Sequence, residues 1–241
     1  MLRTGSLPLL PGLAFADFVA HMLVSNNYGY FRDELYYIEA GRHLAFGYVD
    51  FPPLIALIAK SLDLLAGDAL WAMHVVPALA TALIVLITGL MARELGGGRF
   101  AVALAGVASL VAVTFLATGA LFSMDALDEL WWVFASYVLV LILKRGDGRL
   151  WLLFGLVAGV DLATKVSMLF LGLAAVVGLL LTPHAATCAG SGSGLGARSP
   201  SHSCCLTRCG TRQTAGLPSS SSPTTRARAG RWSSFSARYR V

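Results

Sequence analysis

Cysteine is absent from the body of this 241-residue chain: Cys188, Cys204, Cys205 and Cys209 all lie near its C-terminal end. No disulfide can staple the body, and the four do not read as a zinc site. Adjacent Cys204 and Cys205 followed by Cys209 lack paired C-x₂-C spacing, and His202 is the one nearby imidazole. Charge is scarce as well, at 13% of residues, and acid is missing altogether beyond Asp161. Ten basic residues face 13 acidic ones before Thr182, and eight arginines face none after it. Those arginines are scattered through Ser, Gly and Thr without interleaved aromatics on a recognisable fold, so nucleic acid is not an expected partner. Neither a G-x-G-x-x-G nor a P-loop is present, and Gly96-Gly97-Gly98 reads as a turn, which removes the usual nucleotide cradles.

What is abundant is apolar surface. Hydrophobic residues make up 56% of the chain and the mean hydropathy is +0.71, the composition of a protein whose solvent is a bilayer. Crossing about 30 Å of hydrocarbon takes about 20 helical residues. Runs near 7–24, 70–92, 100–122, 126–143, 150–164 and 166–182 predict an all-α, polytopic bundle of about six spans. The last two are short and separated by Lys165 alone, so they read as two short crossings or one broken helix. Arg3 ahead of an apolar stretch also fits a secretory signal, but Asp17 and His21 within it, with no small-residue cleavage site, favour a retained helix. If spans alternate, Arg3, Arg93, Arg99, Lys144, Arg145 and Arg149 share one side, which the positive-inside rule makes cytoplasmic.

The opposite, outer side then receives the loop 25–69 and the Ser123-Met124-Asp125 turn. A long loop rich in Tyr, Asp and Pro among hairpin-length connections is where function is expected. Asp33 and Glu34 open a helical stretch through Ala45, stopped at Gly47, where acids in the first turn also suit the helix dipole. Asp50-Phe51-Pro52-Pro53 forces a bend. Leu54 to Ala66 then reads as an amphipathic helix with Lys60 and Asp63 on its polar side, and two such helices would lie along the membrane surface.

Three segments carry a resemblance: Tyr28-Gly29-Tyr30-Phe31-Arg32-Asp33-Glu34-Leu35-Tyr36-Tyr37, continuing from Ala40 to Asp50 and into Pro52-Pro53-Leu54; Phe122-Ser123-Met124-Asp125-Ala126-Leu127-Asp128; and Trp151 to Gly159 running into Thr164-Lys165. In order and spacing they resemble glycosyltransferase family 39, which includes the dolichyl-phosphate-mannose protein mannosyltransferases and the lipid A aminoarabinose transferases. The resemblance covers roughly residues 10–182. It implies the membrane-embedded GT-C fold and a polyprenyl-phosphate sugar donor, with a lipid, glycan or protein acceptor. It further implies a multi-pass enzyme of the inner (plasma) membrane, N-terminus cytoplasmic, with the catalytic loop outside.

Inverting transfer needs a carboxylate to take the acceptor's proton and positive charge for the departing lipid phosphate. The resemblance makes Asp33 the candidate base, with Glu34 orienting it or shaping the site. Relatives often carry a polar or basic residue immediately before the Pro-Pro pair. Phe51 stands there in this chain, so Arg32, Arg42 or Lys60 would have to serve the phosphate, with Asp50 and Lys165 as further substrate-binding candidates. Asp125 either holds a divalent cation or caps the fourth span. Asp161 and Lys165, spaced i, i+4, read as an internal ion pair or as a lipid-phosphate contact through Lys165. Asp128 and Glu129 are expected at the interface.

After residue 183 the chain turns to Ser, Gly, Thr, Arg, Ala, Pro and Cys, from which no packed core can form. Residues 1–183 are thus the expected transmembrane unit. Residues 184–241 read either as a disordered tail or as an out-of-frame translation of GC-rich sequence, in which case the chain would be roughly the front half of an enzyme and inactive alone. Translating the gene in its other two frames beyond Leu181 decides between them. A transporter component and a non-catalytic membrane scaffold are the rival functions, but a transporter calls for polar residues around a midplane site, and Asp17, His21 and Asp161 are few and near span ends.

Overall fold

The computed structural model of the protein describes residues 9–181 apart from Tyr28 and Asp68, so Arg3 and everything from Thr182 onwards, the cysteines included, lie outside the described residues. Two compact units divide the chain, Met1–Ser191 and Gly192–Val241, and only the first contains described residues. Those residues form nine helices and no strand: α1 Leu9–Val24, α2 Arg32–Arg42, α3 Leu54–Ala66, α4 Leu70–Glu94, α5 Arg99–Leu110, α6 Val113–Gly119, α7 Met124–Arg145, α8 Leu150–Leu162 and α9 Met168–Leu181. The chain is an all-α membrane bundle.

Helices α4 and α7 are its axis. At 25 and 22 residues they are the two helices long and apolar enough to cross a bilayer among the described residues. The expected span over 100–122 is present as two pieces, α5 and α6, bent by 54° at Val111 and Ala112, and it makes a third crossing if the pair counts as one. α1, α8 and α9 are apolar but shorter, at 16, 13 and 14 residues. At 1.5 Å per residue they reach only about 20–24 Å, short of the hydrocarbon thickness, so six full-length crossings are not what the described helices provide.

Close approach in the bundle is made at glycines. Gly89 of α4 receives the side chain of Leu10, which is almost wholly buried. A Cβ on Gly119 would stand 2.5 Å from His21 Nε2 and 2.7 Å from Thr81 Cγ2, so this glycine lets α6 approach α1 and α4. At one end of the axis Lys144 Nζ donates to Glu94 Oε2 at 2.8 Å and Arg145 Nη2 to Glu94 Oε1 at 3.4 Å, which joins the basic ends of α4 and α7. The other ends meet the loop helices.

α2 and α3 pack on each other through Gly41, where a Cβ would lie 3.0 Å from Lys60 N and 3.1 Å from Ala56 O. α2 stops at Arg42, three residues before the expected Ala45. The Tyr48 hydroxyl takes over the helix end, donating towards Ala40 O at 2.7 Å and accepting Ala45 N–H at 3.2 Å, so the chain leaves the helix before Gly47. α3 has the expected bounds, closed by Gly67 at φ +62°. Phe51, the residue ahead of the Pro-Pro bend, is buried. It stacks on Tyr48 at 4.6 Å between centroids and meets Tyr37 and Tyr36 edge-on at 5.1 and 5.4 Å. An aromatic core, not a ligand contact, is what that position supplies.

Candidate active site

Where the loop helices meet the axis, a cavity of about 140 Å³ has two walls. Phe31, Asp33 and Glu34 at the head of α2 form one; the segment from Ala117 to Asp125, which joins α6 to α7, supplies the other. Both acids sit in first helical turns, where the helix dipole favours negative charge. Asp33 and Asp125, 92 positions apart in sequence, therefore face one space.

The adjacent acids of α2 differ in environment. Asp33 is half-exposed and accepts from its neighbour Arg32, Nε to Oδ1 at 3.1 Å. Glu34 is 1% exposed and fully engaged: Oε2 accepts the Phe31 N–H at 2.7 Å, and Oε1 accepts the Phe122 N–H at 2.7 Å and lies 2.7 Å from His74 Nε2. Burial alone would push its pKa up, but the hydrogen bonds from His74, Phe122 and Phe31 and the His74 charge outweigh burial, and the pKa lies below its ordinary value. Glu34 is thus held inside the wall by its three partners, while Asp33 beside it stays half-exposed.

Lys165 enters from the connection between α8 and α9. Its ammonium donates to Asp125 Oδ1 at 2.6 Å and stands 3.8 Å from Asp128 Oδ2. The expected pair with Asp161 does not form. α8 ends at Leu162 and the chain turns, so Lys165 faces α7, while Asp161 is fully buried and its carboxyl oxygens find no donor among the described residues. Burial works against the Lys165 charge, but the bond to Asp125 and the charges of Asp125, Asp128 and Glu129 prevail and raise its pKa. Asp128 also accepts from Ser167 Oγ, which in turn accepts Trp132 Nε1–H at 3.3 Å, and Glu129 accepts from Thr118 Oγ1 at 2.8 Å.

The divalent-cation reading of Asp125 meets a different partner. Its carboxylate already holds an ammonium, and among the described residues no three His, Cys, Asp or Glu side chains converge as metal ligands would. Nor does Asp125 cap α7 through its side chain, since it lies in the first turn, after Ser123.

The remaining candidates lie apart from the cavity lining. Arg42 is 3.4 Å from Glu39 and borders a second cavity of about 370 Å³ with Tyr30, Leu35 and Ile38. Lys60 pairs with Asp63 at 3.5 Å on α3, and Asp50 accepts from the Tyr36 hydroxyl at 3.3 Å. Tyr37, which the sequence reading passed over, connects these regions. Its phenol is pushed up to about 12 by burial and then by the charges of Asp125 and Asp33. His74 was passed over too. A lone histidine in an apolar helix gives no local sign of a partner 40 residues away.

A third cavity, apolar and of about 450 Å³, is lined by Leu44, Ala45, Phe46, Pro53, Leu54, Leu57 and Ala163. Ala163 O accepts the Leu54 N–H at 3.0 Å, which seats α3 against the end of α8, two residues before Lys165. In α1, by contrast, Asp17 and His21 turn to each other, with His21 Nδ1 2.9 Å from Asp17 O, and remain inside the bundle.

Residues 50–194, more than half of the chain, match the family model described as dolichyl-phosphate-mannose-protein mannosyltransferase. The match takes in Asp50, Lys60, Asp125 and Lys165, and begins after Asp33 and Glu34. No curated protein and no solved structure matches the chain. An all-helical membrane bundle with this match over most of its described length belongs to the dolichyl-phosphate-mannose-protein mannosyltransferase family.

Proposed function

We propose that this chain is a membrane glycosyltransferase that moves a sugar from a polyprenyl-phosphate donor to an acceptor hydroxyl on the outer membrane face, with Asp33 as base. The observation that carries the reading is that Asp33 and Asp125 face one small cavity, with Lys165 bonded to Asp125, in a bundle that also holds an apolar cavity. A donor of this class needs a greasy seat, a cation and a carboxylate in that order. The apolar cavity between α3 and the end of α8 suits the prenyl chain, and Lys165 suits the phosphate, with Arg32 exposed nearby on α2.

In the reaction the acceptor oxygen forms a bond to the anomeric carbon as the bond from that carbon to the phosphate oxygen breaks. The acceptor's proton passes to the Asp33 carboxylate, and the bonding electrons leave with the lipid phosphate, whose added charge Lys165 stabilises. Asp33 is accessible enough to meet an acceptor, which the buried Glu34 is not.

The test measures release of free polyprenyl phosphate from a purified polyprenyl-phosphate sugar in membranes that supply acceptors. Asp33→Asn is expected to cut the rate by about 10²–10⁴-fold, the usual contribution of a positioned general base. An unchanged rate removes Asp33 from that role. The chain is assayed as it stands and as a version continued in whichever frame restores hydrophobic spans. Transfer by the second alone would assign the missing contribution to sequence beyond residue 183.

A further inference from the structure

His74 lies in the second turn of α4, 5% exposed, with both ring nitrogens engaged. Nδ1 is 3.0 Å from the Ser25 carbonyl oxygen and Nε2 is 2.7 Å from Glu34 Oε1. A carbonyl oxygen can only accept. Glu34 already accepts a backbone N–H on each of its oxygens, from Phe31 and Phe122, as an ionised carboxylate does. An imidazole between two acceptors is satisfied when both nitrogens carry hydrogen, and the product is a buried imidazolium–carboxylate pair with charge-assisted hydrogen bonds.

That pair ties together four parts of the chain: the end of α1 through Ser25, the head of α2 through Glu34, α4 through His74 itself, and the α6–α7 connection through Phe122. Two of these are the walls of the acidic cavity. Asp33's own ion pair is with Arg32, next to it in sequence, and Asp125's is with Lys165, so neither bond spans the cavity. The bond from Phe122 N–H to Glu34 Oε1 does.

We propose that His74 is a positioning residue for sugar transfer, its imidazolium holding Glu34 so that Asp33 on one wall stays in register with Asp125, which holds Lys165, on the other. The inference rests on the glycosyltransferase reading for its consequence in catalysis, and on the hydrogen-bond pattern alone for the charged pair.

Two measurements test it on the full chain. The first is ¹⁵N NMR of histidine-labelled protein in nanodiscs, with the His74 signal among the five histidines assigned by its loss in His74→Gln. Both ring nitrogens are expected to be protonated at the pH of the transfer assay, and Glu34→Gln is expected to abolish that signature. A His74 ring with one bare nitrogen overturns the pair. The second is a split of kinetic constants. His74→Gln is expected to lower kcat about 100-fold with the donor KM within twofold, the effect of a misplaced rather than missing group, and His74→Arg, permanently charged, to restore most of it. An unchanged kcat in His74→Gln, or a loss expressed only in KM, overturns the positioning role. Should Asp33→Asn keep transferring sugar, the base assignment falls while the NMR result still decides the pair.

Discussion

Tyr37 and Glu34, on one short helix, carry ionisations displaced in opposite senses. The Tyr37 phenol resists losing its proton because its anion would be buried and would face Asp125 and Asp33. Its folded value of about 12 lies above the ordinary 10.0, so the neutral phenol contributes stability that is complete below pH 10 and is lost as pH rises towards 12. Tyrosinate absorbance is expected to show a late-titrating component, and Tyr37→Phe to remove its latest part, leaving the smaller rise of Tyr36. Glu34 runs the other way. Its folded value lies below the ordinary 4.5, so the stability it contributes is present above pH 4.5 and is lost as pH falls through the lower folded value. Thermal unfolding in detergent is expected to move to lower temperature on acidification below that point, and Glu34→Gln to flatten the dependence. The two acids of the loop were legible as acids at a helix start, but their division of labour was not. Neighbouring helical residues point about 100° apart. What turns Glu34 inward is His74 and Phe122, 40 and 88 residues away, and no local pattern carries that information.

Among the elements, the contact between α2 and α3 is made backbone to backbone at Gly41. A side chain at Gly41 would strike Lys60 N and Ala56 O, backbone atoms that cannot swing aside. Gly41→Val is expected to destabilise the protein by about 1–3 kcal/mol, the range for overpacking a tight site. Gly148→Ala, where a Cβ meets open space, is the control and should be near neutral; equal effects of the two in a detergent unfolding titration would refute the packing argument. α3 was readable to the residue because its polar stripe and Gly67 stop are local signals. The end of α2 was not, since Tyr48 cuts the helix short from six residues beyond its last turn. The Asp161–Lys165 spacing misled for a related reason. An i, i+4 pair meets only where the helix continues, and α8 ends between the two.

For the whole molecule, the hydrophobic runs gave the order and near-boundaries of the long helices, while lengths and bends depended on contacts they do not encode. The axis helices α4 and α7 end on opposite chemistry, with Glu94, Lys144 and Arg145 clustered at one end and the acidic cavity at the other. Exposed Arg32 and Arg149 lie near those two ends. With the four native cysteines replaced by serine, a single cysteine in place of each is expected to react with an impermeant thiol reagent from opposite sides of sealed vesicles, Arg32→Cys from the outer side. Labelling of both from one side would reject the topology. The 2.6 Å bond between Lys165 and Asp125 also bears on traffic through the site. Its cation is never idle, so an arriving anion exchanges with a resident counter-ion and gains only the difference between two pairings. Under the proposed function such a site would hold its anion loosely at either end of the reaction, and a spent phosphate would be handed back as the carboxylate returns to its ammonium.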